Sequence, residues 1–82
     1  MFTIFGFYKF QKINDLKKNQ IILNNLLVDK NINGSIIISK EGLNGSVSGN
    51  NKDIKTTIIR LKKIFNIKEF DSFSNSKSKF KP

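Results

Sequence analysis

The stretch Ser35-Ile36-Ile37-Ile38-Ser39-Lys40-Glu41-Gly42-Leu43-Asn44-Gly45-Ser46-Val47-Ser48 decides the fold. The β-branched run Ile36-Ile37-Ile38 favours an extended chain. Two turn signals follow it, Glu41-Gly42 and Asn44-Gly45. A turn at Asn44-Gly45 would leave too short a return strand before Gly49, so Glu41-Gly42 is the expected turn. The stretch then reads as a hairpin of two strands, Ser35–Lys40 and Leu43–Ser48.

A helix flanks the hairpin on each side. Before it, Asp15 to about Lys30 carries Leu16, Leu23 and Leu27, with Ile22 and Leu26 beside them, at helical spacing. Asn14 or Asp15 is placed to cap its start, and Asn33-Gly34 to break it at the end. After the hairpin, Gly49-Asn50-Asn51 caps a second helix over residues 52–65. Its apolar stripe is Ile54, Ile58, Leu61 and Phe65. Further out, Thr3–Lys9 is an aromatic-rich strand, apolar on both faces through Phe5, Phe7, Ile4 and Tyr8, which suits a central position. Residues 67–74, with Phe70 and Phe73, read as a weaker last strand. Ser74 to Pro82 is polar and reads as a tail or the start of a linker, which divides the chain into a domain at residues 1–74 and a tail at 75–82.

The order strand, helix, strand, strand, helix, strand is the ferredoxin-like split βαβ arrangement, an α+β fold. Right-handed crossovers put both helices on one face of a four-stranded antiparallel sheet of spatial order 4-1-3-2.

Composition narrows the function. The 82 residues hold 15 basic and 6 acidic side chains, a net charge of +9, with neither Cys nor His. That excludes disulfides, a thiolate nucleophile, and the commonest general base and metal ligand. The carboxylates Asp15, Asp29, Glu41, Asp53, Glu69 and Asp71 are scattered in sequence, so neither a metal nor a cofactor is expected. The first eight residues are apolar but have no basic segment before them and fall far short of the roughly 20 residues of a membrane span. No membrane partner and a cytoplasmic location are expected. Lys, Ile and Asn are all abundant and Ala is absent, the bias of an AT-rich genome. The charge alone therefore does not establish a polyanionic partner.

Three segments together resemble one family: Phe7-Tyr8-Lys9-Phe10 with Ile13 and Asp15, then Asn33 to Ser46 with its Glu41-Gly42-Leu43-Asn44-Gly45, then Ser76-Lys77-Ser78-Lys79-Phe80. The chain resembles the N-terminal domain of the bacterial rhodanese-like tRNA uridine hydroxylases. The resemblance implies oxygen-dependent conversion of the wobble uridine, position 34 of tRNA, to 5-hydroxyuridine. It also implies a following rhodanese domain that carries the catalytic cysteine. With no cysteine here, these residues are expected to be the non-catalytic N-terminal part, with tRNA and the C-terminal rhodanese domain as partners.

Related uses of the fold leave their own marks. An acylphosphatase-like site needs an arginine in the loop after the first strand, and Phe10-Gln11-Lys12-Ile13-Asn14 has none. An RNA-recognition motif stacks bases on the first and third strands, and Leu43–Ser48 has no aromatic. Gly42, Gly45 and Gly49 form no phosphate loop, and bends or turns account for them.

The topology gives the lysines meaning. It brings Lys9, Lys12, Lys17, Lys18, Lys40, Lys62, Lys63 and Lys68 to one end, against Asp15, Glu41 and Glu69, a net +5. A clustered end suits a phosphate-tracking surface. The candidate RNA-binding residues are Tyr8, Lys9, Lys12, Lys40, Asn44, Lys63 and Lys68. Tyr8 is either a base-stacking platform or a packing partner of Ile4 and Ile37 on the face away from the helices. Glu41 is either a positioned acid or a solvated turn residue. The alternative function is a packing module, with the open sheet face against the rhodanese domain or a second copy.

Overall fold

Nine residues of alternating character, Phe2–Phe10, form the central strand β1 in a computed structural model that describes residues 2–79. Helix α1 (Leu16–Asp29), strands β2 (Asn33–Ser39) and β3 (Gly42–Asn50), helix α2 (Asn51–Ile64) and strand β4 (Ser72–Ser78) follow. The sheet order is β2-β3-β1-β4 with every pair antiparallel, so the expected ferredoxin-like topology holds. In β1 the odd residues Thr3, Phe5 and Phe7 are buried against the helices, while Tyr8 and Phe10 are exposed on the opposite face. Helix α1 packs against β2, and α2 packs against β3 and β1.

The core joins Phe5, Phe7, Leu23, Leu26, Ile36, Leu43, Val47, Ile54, Leu61 and Phe65. Phe70 closes its β1 side, with its ring centroid 5.1 Å from that of Phe7 and 5.6 Å from that of Phe5. The α2 stripe is phased as expected, although Ile58 is only half-buried. Thr57 shares the buried face without exposure, a position its polarity conceals. Its hydroxyl donates to the Asp53 carbonyl at 2.8 Å, which satisfies the buried oxygen.

Helix ends depart from expectation in an informative way. Asp15 precedes α1 in a left-handed conformation (φ 52°), and neither its carboxylate nor Asn14's side chain caps the helix. Asn50 does cap α2, accepting a bond from the Asp53 N–H at 2.8 Å. A left-handed asparagine follows each helix, Asn31 after α1 and Asn66 after α2, so that α1 is already ended before Asn33-Gly34. The next residue of each turns back into the core: Ile32 N–H donates to Leu27 O at 2.9 Å, and Ile67 N–H to Lys62 O at 2.8 Å. Asparagine tolerates this conformation, and the buried isoleucine anchors the reversal.

Two strand readings are corrected. The hairpin turns at Lys40-Glu41, one residue earlier than expected, because Ser39 pairs with Gly42. Asn44-Gly45 lies inside β3, and Gly45 and Gly49 are strand residues rather than bends. The last strand is Ser72–Ser78, not 67–74. Ile67 owes its apolar character to the end of α2, and Phe70 to the core lid. The serine-rich segment expected to be a tail pairs with β1, from Tyr8↔Ser72 to Phe2↔Ser78. As an edge strand it needs only backbone pairing, so its composition gives no apolar period. Residues 80–82, including Phe80, lie outside the described residues.

Leu61 has no solvent exposure. Leu61→Ala is expected to cost about 2–5 kcal/mol, against about 0.5 kcal/mol or less for Lys55→Ala on the exposed side of α2. Urea titration of both variants checks this, and equal midpoints would place Leu61 outside the core.

Candidate nucleic-acid interface

Backbone hydrogen bonds hold one end of the domain together. Gln11 N–H donates to Glu41 O at 3.0 Å and Ile13 N–H to Lys40 O at 3.2 Å, which ties the loop after β1 to the β2–β3 turn. The Gln11 side chain donates to Phe65 O at 2.7 Å, which adds the end of α2. Asp71 N–H donates to Tyr8 O at 2.8 Å, and the Asp71 carboxylate accepts from Phe10 N–H at 2.5 Å, which brings in the segment before β4. The start of α1, the hairpin turn and the end of α2 are therefore one surface.

The glycines of Glu41-Gly42-Leu43-Asn44-Gly45 make this approach possible. Gly42 has φ 156°, and a methyl group there would collide with the Lys9 carbonyl oxygen. A Cβ on Gly45 would sit 2.6 Å from the Ser35 carbonyl oxygen. The motif lets β3 lie close to its neighbours on both sides.

The candidate residues divide into groups. Lys12 and Lys40 are exposed and line one shallow cleft of about 440 Å³ with Ile13, Asn14, Asp15 and Leu16. Lys17 and Lys18 are exposed in the first turn of α1, beside that cleft, and Lys68 is exposed after α2. Lys9 is not free: it is half-buried, with its ammonium 3.9 Å from Asp71. Lys63 borders a groove between the two helices, with Ile22, Asp29 and Arg60, rather than the cleft. Lys62 lies over the Phe70 ring at 5.6 Å. Asp71 belongs to this end as well, so eight lysines face four carboxylates and the net charge is +4 rather than +5. The sequence concealed Asp71 inside a segment that read as strand.

Tyr8 and Asn44 are opposite each other on the open face, and Asn44 is opposite Ile37 in turn. Asn44 therefore separates Tyr8 from Ile37, and the Tyr8 ring is paired instead with Phe10, at 6.4 Å between centroids. The single arginine, Arg60, is 3.8 Å from Asp29 and belongs to the helical layer, not to the loop after β1. Among the described residues no cluster of metal-ligating side chains exists, and no helix is long and apolar enough to cross a membrane.

An α+β domain of two helices on a four-stranded sheet, with a basic end and no arginine in the loop after β1, is an acylphosphatase-like fold without the arginine of an acylphosphatase site. The chain belongs to the UPF0176 acylphosphatase like domain family, whose model matches residues 2–82. It is 56% identical, over all 82 residues, to a protein of Pelagibacter ubique (strain HTCC1062) named tRNA uridine(34) hydroxylase. The match covers the whole of this chain and 27% of that relative's length.

The first turn of α1 holds Lys17 and Lys18 and no acidic residue, whereas α2 begins with Asp53 and ends with Lys62 and Lys63. Only α2 complements its helix dipole at both ends, whereas α1 has the Asp15 carboxylate at its N-cap position, lysines in its first turn and no basic residue in its last. Lys17→Glu is expected to stabilise the fold by about 0.3–1 kcal/mol at low salt. Thermal melting at low and high salt checks this, with the gain shrinking as salt rises.

Proposed function

We propose that this chain is the N-terminal, tRNA-binding part of an enzyme that hydroxylates the wobble uridine of tRNA to 5-hydroxyuridine. A rhodanese domain joined to it after the 75–82 segment performs the chemistry. The activity and the substrate rest on the relative's name and on 56% identity across the full chain. The division of labour rests on composition. A chain with neither Cys nor His is suited to holding a substrate rather than to nucleophilic or general-base work.

One observation carries the binding surface. The first turn of α1 has no side-chain cap hydrogen bond and no acidic residue, and it gathers Lys12, Lys17, Lys18 and Lys40 against the single carboxylate of Asp15. Those lysines and the positive end of the helix dipole repel one another, and the one carboxylate offsets only part of that repulsion. A phosphate chain laid across the cleft relieves that repulsion and releases counterions. Lysines act as point charges, so this surface positions the RNA without reading its sequence.

Lys12→Glu with Lys40→Glu is therefore expected to weaken tRNA binding. It should also flatten the slope of log affinity against log salt by about 1.4–1.8, the loss of two phosphate contacts. Lys52→Glu with Lys55→Glu makes the same charge change at the start of α2, at the opposite end, and is expected to have a smaller effect on both. Filter binding across a salt series distinguishes them. Equal losses from both pairs would mean that net charge alone acts. No loss from either would favour the packing module.

A further inference from the structure

Among the described residues, the strand positions on the open face carry no charge in a protein that is 26% charged. By register it presents Ile4, Gly6, Tyr8 and Phe10 from β1, with serine, asparagine and Ile37 from the other strands. The charged side chains of the strands, Lys9 and Lys77, point to the helix side. At the basic end of this neutral face two aromatic rings remain in solvent, Tyr8 at 37% and Phe10 at 65% exposure. Their planes meet at 54°, so Phe10 stands as a wall beside the Tyr8 platform. Gly6, Ser72 and Ser74, together with Phe7 and Phe73, line a depression of about 350 Å³ next to the ring. Asn44 stands across from Tyr8 and offers an amide donor and acceptor at its edge.

We infer that Tyr8 and Phe10 hold one unpaired nucleobase of a single-stranded RNA segment, stacked on Tyr8 against Phe10 and met at its edge by Asn44. This rests on the reading of the adjoining lysines as a phosphate-binding surface. Charge complementarity decides the occupant. Phe10 ends β1 at the row of Gly42 and Ser39, and the turn beyond that row carries Lys40, which lines the cleft with Lys12. A neutral aromatic step beside cations is the arrangement that takes a base and its phosphates together. A protein partner covering this face would have to meet both the neutral rings and the exposed lysines. Phe10 is the residue that the sequence left unassigned, because a strand-end phenylalanine is indistinguishable from a core one until its face is known.

Tyr8 is the only tyrosine and there is no tryptophan, so intrinsic emission reports this one ring. The 82-residue protein is titrated with a short oligouridylate, a blunt RNA duplex and inorganic polyphosphate. The oligouridylate is expected to quench Tyr8, whereas duplex and polyphosphate bind the lysines and leave emission unchanged. Phe10→Ala and Phe10→Leu, with folding verified by melting, are expected to weaken oligouridylate binding roughly ten- to a hundredfold. The salt slope should not change, unlike that of the lysine variants. Oligouridylate binding with unquenched Tyr8 and undiminished affinity in both Phe10 variants would overturn the stacking site and leave the phosphate surface standing. Absence of salt-dependent binding to any of the three would overturn both. Loss of self-association in Phe10→Leu, with RNA binding intact, would assign the face to a second copy and overturn the proposal.

Discussion

Antiparallel pairing of β1 with β3 runs unbroken from Phe2↔Asn50 to Phe10↔Gly42, and the rest of the domain depends on it. The pairing makes β1 central, leaves its other edge for β4, and brings its end level with the β2–β3 turn. It survives to the last row because Gly42 has no side chain to strike the Lys9 carbonyl. Beyond that row the Gln11 and Ile13 N–H groups continue the contact onto Glu41 and Lys40. The basic end is thus a consequence of strand register. A slip of one residue would invert every side chain of β3 and separate the lysines of the loop from those of the turn.

Much of this was legible in the sequence, wherever a periodic apolar signal and a turn signal agreed. The Ile36–Ile38 run, the Ile54–Ile58–Leu61–Phe65 stripe and the two-faced β1 each fixed an element and its neighbours. Legibility failed where backbone geometry acted without an apolar signature. An edge strand made of Ser72, Ser74, Asn75 and Ser76 has no periodicity to detect. The left-handed Asn31 ends a helix that Asn33-Gly34 is expected to break, and Asn66 follows α2 in the same way, because asparagine's short side chain tolerates the conformation that favours glycine.

The candidate site was legible in outline only. Topology alone brought the lysines to one end. What it could not supply was the state of each: Lys9 facing Asp71, Lys62 lying on Phe70, and Lys63 turned to the groove between the helices. Those differences arise from side-chain direction across a sheet and around a helix, which depends on the realised register. They leave Lys12, Lys17, Lys18, Lys40 and Lys68 as the exposed cations of this end outside the helical groove, next to a neutral face that ends in Tyr8 and Phe10. The division suits a surface that holds a phosphate chain on one side of the β1 terminus and a base on the other.

On the proposed function, RNA meets this one end and not the remainder of the domain. Amide chemical-shift mapping of the labelled protein, titrated with an anticodon stem-loop RNA, tests it most directly. Perturbations are expected over residues 8–18, 39–44 and 68–74, with the far end around Asn31 and Lys52 unmoved. Shifts centred on the outer helical face at Ile21 and Val28, or spread evenly over every lysine, would contradict it.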